Sequence, residues 1–438
     1  MTTVADRLGP VLTALFAGEP PVRLRAWDGS ETGPEAAPVV LLRSHRALRR
    51  LLWQPGELGV AEAYIAGDLD VDGDLAEGLS RVWQAVRDRR PAPGGRLRLA
   101  GLRPADAARA AGAALRLGAF GPRPPAPGAP RARLSGQVHS TARDRAAISH
   151  HYDLSNDWYA ALLDPSMAYS CGYWTAPDDP GYGLADAQRD KLELICRKLA
   201  LTPGARLLDV GCGWGGLALY AAREHGVHVT AVTRSREQRD HVASRIRESG
   251  LGDLVQVRLG HYRDIGPAAG AGYDAVSAVE MGEHVGERDY PGFAARLHGQ
   301  LRPGGRLFVQ QMSRASAAPG GGAFIEAYIA PDMHMRPVGR TVDMLESAGL
   351  EVRSVESVRE HYVRTIRAWL RTLEEDWPRF TALAGEPTAR VWRLYLAGSA
   401  LAFAERRMGV DQFLAVRPAP GGRSGMPGTP SRWYGARP

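Results

Sequence analysis

The chain has 438 residues, 44% of them hydrophobic and 24% charged, with a formal net charge of +7. That length accommodates two or three domains with a sizeable core, and the lack of any run of 18 uncharged apolar residues argues against a membrane-spanning helix. Cys171, Cys196 and Cys212 have neither CxxC spacing nor an even count, so neither a zinc site nor a disulfide framework is indicated, and no metal is expected.

The first predicted elements are a helix over 4–16 and strands over 22–26 and 39–42, followed by helical and turn segments through Tyr64. Together they suggest a small α+β domain over residues 1–85. Asp6 and Arg7 interrupt the opening stretch where a secretion signal needs a basic and then an apolar region, so a cytoplasmic location is expected. The acidic run GVAEAYIAGDLDVDGD, residues 59–74, lacks the spacing of a calcium-binding loop and reads as a solvated turn. Residues 86–139, rich in Arg, Pro, Gly and Ala, read as a linker. Its arginines hold much of the net charge, which suits a solvated segment first, and by itself does not choose between that, anionic lipid headgroups and nucleic acid.

From residue 140 the chain changes character. AISHHYDLSNDWYAALLDPSMAYSCGYW, residues 147–174, is dense in aromatic and small polar residues, as the lid of a site is. LLDVGCGWGG, residues 207–216, reads as an apolar strand, a glycine turn and a helix start, where Gly211, Gly213 and Gly215 let backbone amides approach a nucleotide-like ligand. A dinucleotide site needs an acidic residue at the end of the next strand. That strand, 227–232, runs instead into Thr233, Arg234 and Ser235, and two more strands follow at 273–279 and 306–311. Thr233 or Ser235, followed by Glu237, is also a good helix cap. The whole is expected to be an α/β, doubly wound domain over 140–415, with a helical lid from 363 to 405 and a disordered tail over 416–438.

Asp209, the Gly-Cys-Gly-Trp-Gly turn and the late Arg302-Pro303-Gly304-Gly305 turn resemble class I S-adenosylmethionine-dependent methyltransferases, with a Rossmann-like fold. More specifically, HHYDLSNDWYAALLDPSMAYSCGYW, VTRSREQ (232–238), VEMGEHVG (279–286), FIEAYI (324–329) and REHYVRTIRAW (359–369) resemble the cyclopropane-fatty-acyl-phospholipid synthase family over nearly the whole chain. The resemblance implies S-adenosylmethionine as methyl donor, surrounded by Asp209, Gly211, Gly213, Trp214, Gly215, Thr233 and Gln238, with Tyr169 and Ser170 covering it. It also implies a bound bicarbonate ion as base, held by the Cys171 backbone, Glu283 and Tyr362, with His284 orienting Glu283. His150 and His151 read as structural.

The family's reaction adds the methyl group to an alkene and leaves a carbocation in an acyl chain. Cyclopropane-forming relatives carry histidine where this chain has Gln310, and glutamine hydrogen-bonds an anion without ever becoming cationic. Together with APDMHMRPVG, residues 330–339, this resembles the actinobacterial subgroup that makes 10-methylene chains. The expected activity is therefore C-methylation of an oleoyl-type phospholipid chain to a 10-methylene branch, which a reductase would saturate. Cyclopropane formation by the same first step, or a non-catalytic lipid-binding homologue, are the alternatives. Peripheral contact with an anionic membrane and a homodimer are further implied. A nucleic-acid substrate is not, since the chain has no base-flipping motif of the Asn- or Asp-Pro-Pro-Tyr type.

Overall fold

The computed structural model describes residues 2–16, 18–87, 104–132, 134–139, 143, 154–266, 270, 272–315 and 321–433. His150 and His151 lie outside them. The chain divides into two compact units, one of Met1–Arg131 with Asp376–Leu401, the other of Ala132–Glu375 with Ala402–Pro438.

The first unit holds a four-stranded sheet of β1 (Arg23–Arg25), β2 (Glu31–Thr32), β3 (Val39–Leu42) and β4 (Leu69–Asp72) in the order β2-β1-β3-β4. Val4 and Leu8 of the first helix, Val4–Phe16, pack with Leu24, Leu42, Ala47 and Ala63 in one core. Two features depart from the sequence reading. Residues 86–139 include a helix, Pro104–Arg116, and the acidic run at 59–74 is no solvated turn. Its first part closes the helix Glu57–Ile65, in which Glu62, Tyr64 and Ile65 are buried, and Asp68 and Asp70 are buried among arginines. Asp68 accepts from Arg46 and Arg50, while Arg390 reaches Asp70 and the carbonyls of Tyr64 and Leu69. That ion-paired cluster groups residues 376–401 with this unit, although the sequence reading assigned them to the 140–415 domain. Buried carboxylates persist where such partners meet them.

The second unit is built on a seven-stranded mixed sheet in the order β10-β11-β9-β8-β5-β6-β7, with β5 (Arg206–Val210), β6 (His228–Thr233), β7 (Val255–Leu259), β8 (Tyr273–Val279), β9 (Leu301–Ser313), β10 (Glu351–Ser357) and β11 (Gly409–Val416). Strands β5 to β9 pair in parallel, whereas β11 runs antiparallel to both β9 and β10. Consecutive residues feed opposite cores, as strand geometry demands. Leu207, Ala275 and Phe308 join the helices Leu184–Lys198 and Gly216–His225 on one face. Leu208, Val276 and Leu307 join Tyr290–Gln300 and Val338–Ser347 on the other. This is the expected doubly wound domain. The segment after β11, read as disordered, makes a bridge between Ala419 and Arg423 and buries Trp433. Among the described residues no helix is long and apolar enough to cross a membrane.

Candidate active site

Ligands of open α/β sheets bind beyond the carboxyl ends of the parallel strands, and a cavity lies there at the end of β5. Tyr169, Asp209, Gly211, Gly213, Trp214 and Glu280 are among its lining residues. The turn after β5 folds tightly because the amides of Gly211 and Cys212 both donate to the Val232 carbonyl. Gly211, Gly213 and Gly215 have φ of 85°, 53° and 83°, a region that disfavours side chains. A Cβ at Gly213 would enter open space, whereas one at Gly211 would meet Met281 Cγ at 3.0 Å. The cradle thus fits a ligand approaching its backbone, as the methyl donor requires.

Asp209 accepts from the Ser277 hydroxyl at 2.8 Å, and burial pushes its carboxyl up to about 6 against that hydrogen bond and nearby Lys191. The Trp214 indole donates to Asn156 at 2.9 Å and lies 4.4 Å, centre to centre, from the Tyr159 ring. Ser170 accepts from the buried Lys191 ammonium at 2.7 Å, while the Gln188 amide donates to the carbonyls of Ala168 and Ser170. Residues 168–171 are thereby fixed against the helix Leu184–Lys198. Tyr169 sits between Tyr159 and Trp369, at 5.7 and 5.2 Å. Gln238 lines the cavity, but Thr233 instead donates to the Gln238 side chain at 2.7 Å, beside the Ser235 cap that accepts from the Gln238 amide.

Cys171, Gln310 and Tyr362 do come together, although not around Glu283. They converge on Glu280, just past the end of β8. The Cys171 amide donates to Glu280 Oε1 at 2.7 Å, Gln310 Nε2 donates to the same oxygen at 2.9 Å, and the Tyr362 hydroxyl donates to Oε2 at 2.6 Å. Glu280 has φ of 49°, and its own amide donates to the Gln310 carbonyl at 2.6 Å. Burial raises its carboxyl above the ordinary range, while those three donors and Lys191 pull the other way. Gln310 in turn accepts from Gln412, which accepts from Lys198. The buried Cys171 thiol is pushed well up by burial, so it stays protonated and is no nucleophile.

Glu283 stands in the short turn Gly282–His284, fully buried. No side chain hydrogen-bonds its carboxyl, His284 included, and the backbone amides of Glu283 and Met312 come near enough to favour its ionised form. Burial first, and the charge of Glu280 second, push it up to about 8. The turn itself is clamped by Arg336, which donates to the carbonyls of Gly282 and Val285 and lies 4.0 Å from the Tyr290 ring centre. His334 adds a backbone bond to the Glu283 carbonyl. The divergent 330–339 segment thus builds the floor of this turn. Bicarbonate does not fit the expected set, since Glu280 already engages the donors it would use.

Sequence reasoning missed Glu280, Lys191 and Gln188. The signal for Glu280 was the first acid of VEMGEHVG, three residues before the one chosen.

The model of the mycolic acid cyclopropane synthetase family matches residues 139–413. A probable fatty acid methyltransferase of Mycobacterium tuberculosis is 38% identical over 446 residues, spanning 99% of this chain and 100% of that protein. The tuberculostearic acid methyltransferase UfaA1 of the same organism is 32% identical over 412 residues, 91% of this chain and 88% of its own. Among solved structures, the mycolic acid cyclopropane synthase CmaA1, complexed with SAH and CTAB, superposes with a TM-score of 0.58 at 28% identity, over 62% of this chain and 97% of that one.

Proposed function

Since the chain belongs to the mycolic acid cyclopropane synthetase family and is an S-adenosylmethionine-dependent methyltransferase of fatty acid double bonds, we propose that it methylates an oleoyl-type chain of a phospholipid to a 10-methylene product. The observation that carries this reading is a buried carboxylate, Glu280, held at the cofactor cavity beside aromatic rings. Tyr362 and Trp369 meet edge to face at 6.1 Å, and Tyr169 continues the wall. Such a wall excludes water from a carbocation and offers it π faces, and the carboxylate supplies opposite charge.

When bound, S-adenosylmethionine supplies a sulfonium methyl group and leaves as S-adenosylhomocysteine. Asp209, Gly211, Gly213, Trp214 and Gly215 would hold it, with Gln238 and, through it, Thr233, and Tyr169 and Ser170 would close over it. Tyr362, Gln310 and the Cys171 amide position the carboxylate, and Glu283 with His284 forms the turn behind it. The near full-length likeness to a tuberculostearic acid methyltransferase and the neutral Gln310 favour branching over ring closure.

Purified protein incubated with S-adenosylmethionine and oleoyl phospholipid vesicles tests the reading by gas chromatography and mass spectrometry of the fatty acid methyl esters. A 10-methylene ester is expected; only a cyclopropane ester overturns the product, and no methylated lipid overturns the function. Access to such a substrate calls for peripheral binding to an anionic membrane surface, and a methylene product calls for a reductase to saturate it.

A further inference from the structure

We infer that Glu280 is the general base of this reaction, a carboxylate built into the chain in the position that the family resemblance gives to a bicarbonate ion, so that turnover needs no bicarbonate. The inference rests on the proposed function. Its ground is the coincidence of three donors on one side chain. The Cys171 amide, the Gln310 amide and the Tyr362 hydroxyl belong to widely separated segments, and all three end on Glu280 at 2.6 to 2.9 Å. A carboxylate and a bicarbonate ion present the same planar O–C–O fork, so donors arranged for one serve the other. Both cannot be present, because a second anion would find the donors engaged and a like charge in contact.

The side chain is also where the reaction needs it. Glu280 lines the cofactor cavity with Asp209 and Gly211. Its Oε1 takes two hydrogen bonds and its Oε2 only one, from Tyr362, which leaves a lone pair on Oε2. The left-handed backbone at Glu280, tied by its amide to Gln310, turns the residue inward as β8 ends. Glu283, the neighbouring acid, has no side-chain donor, only the backbone amides of Glu283 and Met312 near its carboxyl, against three donors on Glu280, so Glu280 carries the charge of the pair.

The balance of the step is simple. The alkene π pair forms a bond to the methyl carbon, and the carbon–sulfur pair stays on sulfur. Hydride moves from the methyl-bearing carbon to its cationic neighbour, which places the cation on the methyl-bearing carbon. Glu280 Oε2 then takes a proton from the new methyl group, whose C–H pair becomes the methylene double bond. Glu280 is left as the neutral acid and returns its proton to water as product leaves.

The test uses the full chain, S-adenosylmethionine and oleoyl phospholipid vesicles in buffer stripped of carbon dioxide, with and without added sodium bicarbonate. Wild-type turnover is expected to be the same in both. Glu280→Gln is expected to lose about 100-fold or more in kcat while binding S-adenosylmethionine, by calorimetry, as tightly as wild type. Glu280→Gly, which relieves the left-handed backbone and empties the site, is expected to be inactive without bicarbonate and to recover with it. Wild-type turnover that appears only with bicarbonate overturns this inference alone, as does a Glu280→Gln enzyme of near wild-type rate. Absence of methylated lipid in every condition overturns the proposed function, and this inference with it.

Discussion

Replacing Tyr362 by phenylalanine deletes one hydrogen-bond donor and keeps the ring, which packs 4.7 Å from Phe403 and 6.1 Å from Trp369, centre to centre. The hydroxyl donates to Glu280 Oε2 at 2.6 Å, a short bond of the charge-assisted kind. Such a bond to a charged group is worth about 1.5–3 kcal/mol net, which translates to a fall in kcat of about 10- to 150-fold if the whole of it is expressed in the chemical step. The pH profile gives the sharper readout. Removing a donor to the ionised form makes Glu280 harder to ionise, so the acid limb of kcat moves to higher pH, by about 1 to 2 units for the same energy. The other groups facing Glu280, namely Glu283, Lys191, Cys171 and Gln310, are untouched by the change. The assay is initial-rate methylation of oleoyl phospholipid from pH 5.5 to 9, paired with calorimetric binding of S-adenosylmethionine, which should be unaffected. A variant with wild-type kcat and an unmoved acid limb would refute the assignment of Tyr362 as a positioning residue for the base.

Other substitutions test separate parts of the argument. Glu283→Gln mimics the neutral acid. Because the folded carboxyl titrates at about 8 and the ordinary value is 4.5, the wild type is fully stabilised below 4.5 and loses that contribution as pH rises towards 8. The variant should therefore gain on wild type in melting temperature between pH 5 and 8; a pH-independent difference sinks the reading. Arg390→Met should lower stability in urea by about 3 kcal/mol, since it strips a buried cation from Asp70 and from two carbonyls. Burial raises the Asp70 carboxyl, but Arg390 outweighs it and holds the group below its ordinary 3.8, so the deficit of the variant should shrink as pH falls through that region. Gln310→His breaks the bond accepted from Gln412 and puts a titratable group beside Glu280. About a fivefold change in rate, or a shift from methylene towards cyclopropane ester, is expected; an unchanged rate and product would show that this position does not steer the cation.

The glycine turn and the strand before it were legible because each rests on local chemistry, an apolar run and backbone angles that only glycine adopts cheaply. The helix Val4–Phe16 and the strand Val39–Leu42 have the predicted bounds for the same reason. The antiparallel pair β10 and β11 was not predicted. Its partners lie at 301–313 and more than fifty residues apart from one another, so no local pattern announces the pairing. Likewise Asp68 and Asp70 read as solvent-facing until Arg50 and Arg390 are seen to meet them. The three donors expected around Glu283 meet the acid three residues earlier. Glu280 and Glu283 are alike in sequence, and only the left-handed backbone at 280 decides which of them faces the three donors.

That backbone angle also bears on how such enzymes diverge. Glutamate at φ of 49° is a costly residue in a place glycine would occupy freely. The codons for the two differ by one base. A single transition at this codon would relax the chain, remove the tethered acid and leave its three donors free to recruit an anion from solution. Tethered and borrowed bases are thus adjacent in mutational space, and in the direction that discards the carboxylate the backbone offers no resistance.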